Sequence, residues 1–154
     1  MAERSIIVTA DIGVARSQLW DIVAATRRYS EWVQNTLEVT RVDSEVADPG
    51  VTYDERNRII GPFTARSRWR VQEVQAQERT VHTGEGIALA RWMRLELRLE
   101  ELAPRRTRYT HHFSYEPALG PLGPLLNVVL EPSLRRDMRR TVARLKALAE
   151  ASSA

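Results

Sequence analysis

Cysteine is absent from the 154 residues, which excludes a disulfide framework, thiolate nucleophiles and cysteine-built metal sites. Lysine is nearly absent as well: of 23 lysine-plus-arginine residues only Lys146 is lysine, a bias that reads as codon usage before function. No run approaches the ~20 apolar residues of a membrane span. The opening MAERSIIVTADIG carries charge where a signal peptide needs an apolar stretch, so a cytoplasmic protein with no integral membrane segment is expected. Nucleotide and hydrolase motifs are missing too. There is no Walker loop and no nucleophile elbow, and Gly84-Glu85-Gly86 lacks the further glycine and helix of a dinucleotide fingerprint. His111 and His112 are adjacent, so on a strand they diverge and cannot share one ion, and no H-x-x-x-H occurs. No metal and no other cofactor is expected. The net charge of +3 is mild and the arginines do not cluster with aromatics, so no nucleic-acid partner is expected either.

What the chain does have is enough apolar content for a core, 43%, in a length suited to one domain over residues 1–154. No internal repeat, low-complexity tract or linker divides it. The stretch from about 122 to 150 places Leu126, Leu130, Leu134, Met138, Val142, Leu145 and Leu148 on one helical stripe. Arg135, Arg136, Arg139, Arg140, Arg144 and Lys146 fall on the solvated side. Such a helix is roughly 40 Å long. Pro132 predicts a kink near Glu131, or a first piece ending there.

Upstream, residues 4–10 read as a strand through Ile6-Ile7-Val8-Thr9. Two short helices follow, over 15–25 and 26–32, with Tyr29 and Trp32 on one side. Six strands come next, at 37–43, 51–60, 63–74, 78–85, 92–102 and 107–115, punctuated by Asp48-Pro49-Gly50, Gly61-Pro62 and Pro104-Arg105-Arg106. The alternation is clearest in three of them. Ala65, Ser67, Trp69 and Val71 oppose Arg66, Arg68, Arg70 and Gln72. Met93, Leu95, Leu97 and Leu99 oppose Arg94, Glu96, Arg98 and Glu100. Tyr109, His111, Phe113 and Tyr115 oppose Arg108, Thr110, His112 and Ser114. Short connections make the strands antiparallel neighbours with one wet and one dry face, and the long helix covers the dry face. The inward face of 51–60 and the register around His82 are not fixed by pattern.

Ile6-Ile7-Val8, the run Ala15-Arg16-Ser17-Gln18-Leu19-Trp20-Asp21-Ile22-Val23, Tyr29-Ser30-Glu31-Trp32, Pro49-Gly50, Arg68-Trp69-Arg70, Arg106-Thr107-Arg108-Tyr109-Thr110 and Arg144-Leu145-Lys146-Ala147-Leu148-Ala149-Glu150 together resemble the START-like (SRPBCC) helix-grip superfamily. Within it, the chain is similar to the bacterial polyketide cyclase/dehydrase and lipid-transport group over nearly its whole length. The resemblance implies an α+β fold in which a curved antiparallel sheet of about seven strands grips the C-terminal helix around an apolar cavity. It implies no particular activity, because the superfamily has no universal catalytic signature.

The inward set suits a small-molecule pocket. Trp69, Ser67, Met93, Leu95, Phe113, Tyr115, Tyr53 and Asn57 are the expected ligand-binding residues, with Trp32 at a mouth and Asn127 facing in from the long helix. His111 is the candidate acid/base of a cyclase or dehydrase, with Tyr109 or Ser67 holding the carbonyl oxygen. Three function classes stay open. The chain binds a hydrophobic small molecule (a polyketide-like aromatic, a lipid or an isoprenoid), or it is a polyketide cyclase/dehydratase using His111, or it is a protein-interaction module acting through the arginine-rich helix face. Monomer and homodimer both remain open.

Overall fold

The computed structural model describes residues 3–59, 61–86, 90–118 and 120–153. Strand β1 (Arg4–Ile12) leads into α1 (Arg16–Val23), a 3-10 turn (Thr26–Arg28) and α2 (Tyr29–Trp32). Six strands follow: β2 (Thr36–Val42), β3 (Thr52–Arg58), β4 (Thr64–Gln75), β5 (Arg79–Glu85), β6 (Ala90–Ala103) and β7 (Arg106–Pro117). A second 3-10 turn (Gly120–Leu122) opens α3 (Gly123–Ser152). The strands form one antiparallel sheet in the order β1-β7-β6-β5-β4-β3-β2, the expected helix-grip arrangement. Ile60, expected at the end of the third strand, lies outside the described residues.

Register shifts in β2, β4 and β6 bend the sheet, since an extra residue on one strand forces a local turn and added twist. The concave face carries the apolar alternation read from the sequence: Val71, Met93, Leu97, Leu99 and Tyr109 are all buried. The convex face explains where the arginines go. Asp54 accepts from Arg68 and Arg41, and Asp11 from Arg106 and Arg108. Arg79, Arg94 and Arg98 converge on Glu96. Burial opposes ionisation of Glu96, yet its hydrogen bonds from Arg98, Arg79 and Arg94 hold that carboxyl down to about 2.

The C-terminal half of α3 packs through Met138, Thr141, Val142, Leu145 and Ala149. Gln34 N–H, two residues past α2, donates to Thr141 Oγ1 at 2.9 Å, which ties the α2 exit to α3. Of the two outcomes expected at Pro132, a first piece ending there is overturned. The helix neither ends nor restarts at Pro132 but runs through it as 30 residues, about 45 Å at the standard rise. Pro132 is exposed, so the one carbonyl it leaves unpaired, on Val128, faces solvent instead of core. A side-chain series braces the same turns: Asn127 Nδ2 donates to Glu131 Oε2 at 3.0 Å and Arg135 to Glu131 Oε1 at 2.8 Å. Nor is Arg144 simply solvated. Its guanidinium donates to the Glu31 carbonyl at 2.9 Å, where the last turn of α2 leaves carbonyls without helical partners. Around α3's first turns, Leu122, Leu125, Val128 and Val129 are exposed.

Candidate functional site

Between the concave face and the first half of α3 lies a cavity of about 130 Å3. Its sheet wall is Trp69 from β4, Met93, Leu95 and Leu97 from β6, and His111, Phe113 and Tyr115 from β7. Tyr29 and Trp32 of α2 close one side, and Leu130, Ser133, Leu134 and Met138 of α3 form the lid. Phe113 and Tyr115 are stacked with ring centroids 5.6 Å apart, and Tyr29 meets Trp32 edge-on at 5.8 Å. The lining is overwhelmingly apolar, as expected for a site that takes hydrophobic molecules.

At the β3 end the wall turns polar. Glu55, 5% exposed, lines the cavity with Asn57 and Thr36. A directed chain of hydrogen bonds ends on its carboxyl. The Trp69 indole N–H, which can only donate, gives to Ser67 Oγ at 3.0 Å; Ser67 gives to Asn57 Oδ1 at 2.5 Å; Asn57 Nδ2 gives to Glu55 Oε2 at 2.9 Å. Thr36 Oγ1 donates to the same oxygen at 3.2 Å. Burial pushes the Glu55 carboxyl up to about 7, against the pull of the Asn57, Thr36 and Trp69 donors. Among the described residues no cation pairs with it. Two further donors, Tyr29 Oη and Trp32 Nε1, are buried without a partner among the described residues.

The structure brings Trp32, Asn57, Trp69, Met93, Leu95, His111, Phe113 and Tyr115 to the cavity wall. Trp32 is fully buried against Tyr109 and His111, not at a mouth, because α2 is held inward by the core. Tyr53, Ser67, Tyr109 and Asn127 do not line the cavity; they stand behind residues that do. Tyr53 is bonded to His82 Nδ1 at 2.8 Å, Tyr109 to His111 Nδ1 at 2.8 Å, and the Tyr115 hydroxyl donates to Asn127 Oδ1 at 2.5 Å. His82, left unassigned by pattern, is buried on the inward side with both ring nitrogens engaged, the second by Thr80 at 3.0 Å. Burial, with a smaller push from His112, lowers His111 to about 4, so at neutral pH it is an uncharged imidazole. Glu55, Tyr29 and Ser133 were missed. Glu55 shares the parity of Tyr53 and Asn57 on one strand and pairs with Ser67 across the ladder, so the period-2 rule reaches it once those neighbours face inward. Gly84 sits opposite Trp69 in the β4–β5 ladder, where a Cβ would come within 2.7 Å of the indole.

A family model described as polyketide cyclase / dehydrase and lipid transport matches residues 3–150. The chain belongs to that family. No curated relative matches its sequence. The fold of this polyketide cyclase/dehydrase family member is similar to that of the Zhui aromatase/cyclase from Streptomyces sp. R1128, with a TM-score of 0.87 and 13% identity over 99% of this chain and 97% of that one. It is also similar to a protein from Thermus thermophilus, at 0.76 and 14% over 98% and 100%. The Panax ginseng major latex-like protein 151 matches at 0.70 and 9% over 96% and 97%. At such identities these likenesses establish the fold, and the site must be argued from this chain's own residues. Among the described residues no helix is long and apolar enough to cross a membrane, and no group of histidine and acidic side chains is arranged to hold a metal ion.

Proposed function

We propose that this family member binds a hydrophobic, ring-containing small molecule, polyketide-like in character, in the cavity under α3. The observation that carries the reading is the cavity itself, walled by Trp69, Met93, Leu95, Phe113 and Tyr115 and closed by Leu130 and Leu134 of the helix. At about 130 Å3 it is near the size of dry apolar cavities that take up benzene. One aromatic ring fits this conformation, and a longer ligand extends toward the α3 lid. Native mass spectrometry with organic extraction, then thermal shift against one- and two-ring aromatics, tests it. A ligand that prefers the folded state raises the melting temperature. Leu95→Trp, which fills the cavity, removes that shift; an unchanged shift in Leu95→Trp sinks the reading.

A second reading, cyclase/dehydratase chemistry, is favoured by one observation. The neutral His111 faces the cavity with Nδ1 tied to Tyr109, and no described hydrogen bond engages Nε2. An enzyme loses turnover but keeps ligand affinity in His111→Ala, whereas a carrier keeps its function and loses affinity on changes at Trp69 or Met93.

A further inference from the structure

The Glu55 end of the cavity is chemically unlike the rest. A carboxyl lies there among Tyr29, Thr36, Asn57 and Trp69; Thr36 and Asn57 donate to its Oε2, the Trp69 indole N–H also bears on it, and all three donors are neutral. A buried carboxylate is normally matched by a cation, because neutral hydrogen bonds alone do not replace the water it lost. Here no described side chain supplies that cation: the one arginine on the cavity wall, Arg58, is exposed and makes no ion pair with Glu55. The hydroxyl of Tyr29, buried on the same wall and unpartnered, has lone pairs to offer an N–H group. The rings of Tyr29, Trp32 and Trp69 offer π faces to a positive charge.

Resting on the ligand-binding reading above, we infer that the cavity selects hydrophobic amines, with the ligand's ammonium completing an ion pair to Glu55 and its ring lying against the aromatic wall. The ammonium N–H groups donate to Glu55 Oε1, the oxygen that receives neither the Thr36 nor the Asn57 bond, and to the Tyr29 oxygen. This supplies the missing countercharge from the ligand instead of the protein.

Benzylamine and benzyl alcohol share one ring and one methylene and differ in the polar group, so they isolate that group by isothermal titration calorimetry. Wild type should bind benzylamine about tenfold more tightly than benzyl alcohol near pH 8.5, the scale of one charge-assisted contact. Near pH 5.5 the preference should fall toward equality as Glu55 takes up its proton. Across that interval the other titratable groups facing the site hold one form: Tyr29 and Tyr53, raised by burial, stay neutral, and His82 and His111, lowered by burial to about 3 and 4, stay uncharged, while Arg58 on the same strand is exposed. Glu55→Gln should erase the preference while leaving benzyl alcohol affinity within about threefold. The wild-type pH dependence stands as an independent readout should that variant fold poorly. If benzyl alcohol binds and benzylamine binds no better at either pH, the amine inference is overturned while the cavity reading stands. A preference that survives in Glu55→Gln overturns it equally. If neither compound binds, both readings fall.

Discussion

Glu55→Gln should stabilise the protein in a pH-dependent way. The ordinary glutamate value is 4.5, and burial raises it to about 7 in the folded chain. Below the lower value both folded and unfolded states carry the proton. Between the two values only the folded state does, so the folded state is favoured there, and that stability is lost as pH rises through about 7. From pH 5.5 to 8.5 the wild type therefore loses about 2 kcal/mol, roughly 1.36 kcal/mol for each unit between 5.5 and the folded-state value. Glutamine keeps the shape and an acceptor oxygen but does not titrate. The stability of Glu55→Gln minus that of wild type should thus grow by about 2 kcal/mol over the interval. His82 and His111, lowered by burial, titrate alike in both proteins and cancel in the difference. Urea unfolding followed by tryptophan fluorescence at three pH values reads it as a change of about 1 M in the midpoint gap. A gap that does not move with pH refutes the reasoning, because Glu55 would then ionise normally and could not be the buried, uncompensated carboxyl described above.

Other substitutions test the frame. Leu145→Ala removes a fully buried contact of α3 with the core and should cost about 2–5 kcal/mol in urea unfolding. Tyr109→Phe strips His111 Nδ1 of its partner and should cost about 1–3 kcal/mol by the same assay. Pro132→Ala restores the backbone bond to Val128 in the middle of α3 and should raise stability by about 2 kcal/mol, seen as a higher melting temperature. Glu96→Gln removes the charge on which Arg79, Arg94 and Arg98 converge and should cost about 2 kcal/mol, with a smaller difference from wild type at high salt.

The architecture was legible because β4, β6 and β7 alternate cleanly, and antiparallel neighbours propagate that parity across the ladder. β3 was the exception. Its sequence, Thr52-Tyr53-Asp54-Glu55-Arg56-Asn57-Arg58, has acidic residues on both faces, so no contrast of charge against apolar marks which side is buried. Glu55 was hidden by that symmetry, and its depth is fixed by sharing the face of Tyr53 and Asn57 and by pairing with the buried Ser67 across the ladder. The partition of the aromatics was equally out of reach. Tyr109 and Tyr115 share a face, yet one backs His111 and the other lines the cavity, because a strand's position along a curved sheet decides how far each side chain reaches. At Pro132 the sequence left a kink and a first piece ending at Glu131 both open, because local propensity counts a lost hydrogen bond and cannot weigh a helix held along its length by the core.

Gly84 gives the cavity a control lying outside its own wall. The Trp69 indole rests in the space a side chain at position 84 would occupy, and even a methyl group would overlap it at 2.7 Å. The ring that bounds the ligand space is therefore indexed by a residue one strand away. Exchanging hydrogen for a methyl there forces the indole to a new seat and redraws the volume while every wall residue stays the same. Ligand preference in such a scaffold can drift through its backing, so two proteins with identical linings need not share a guest.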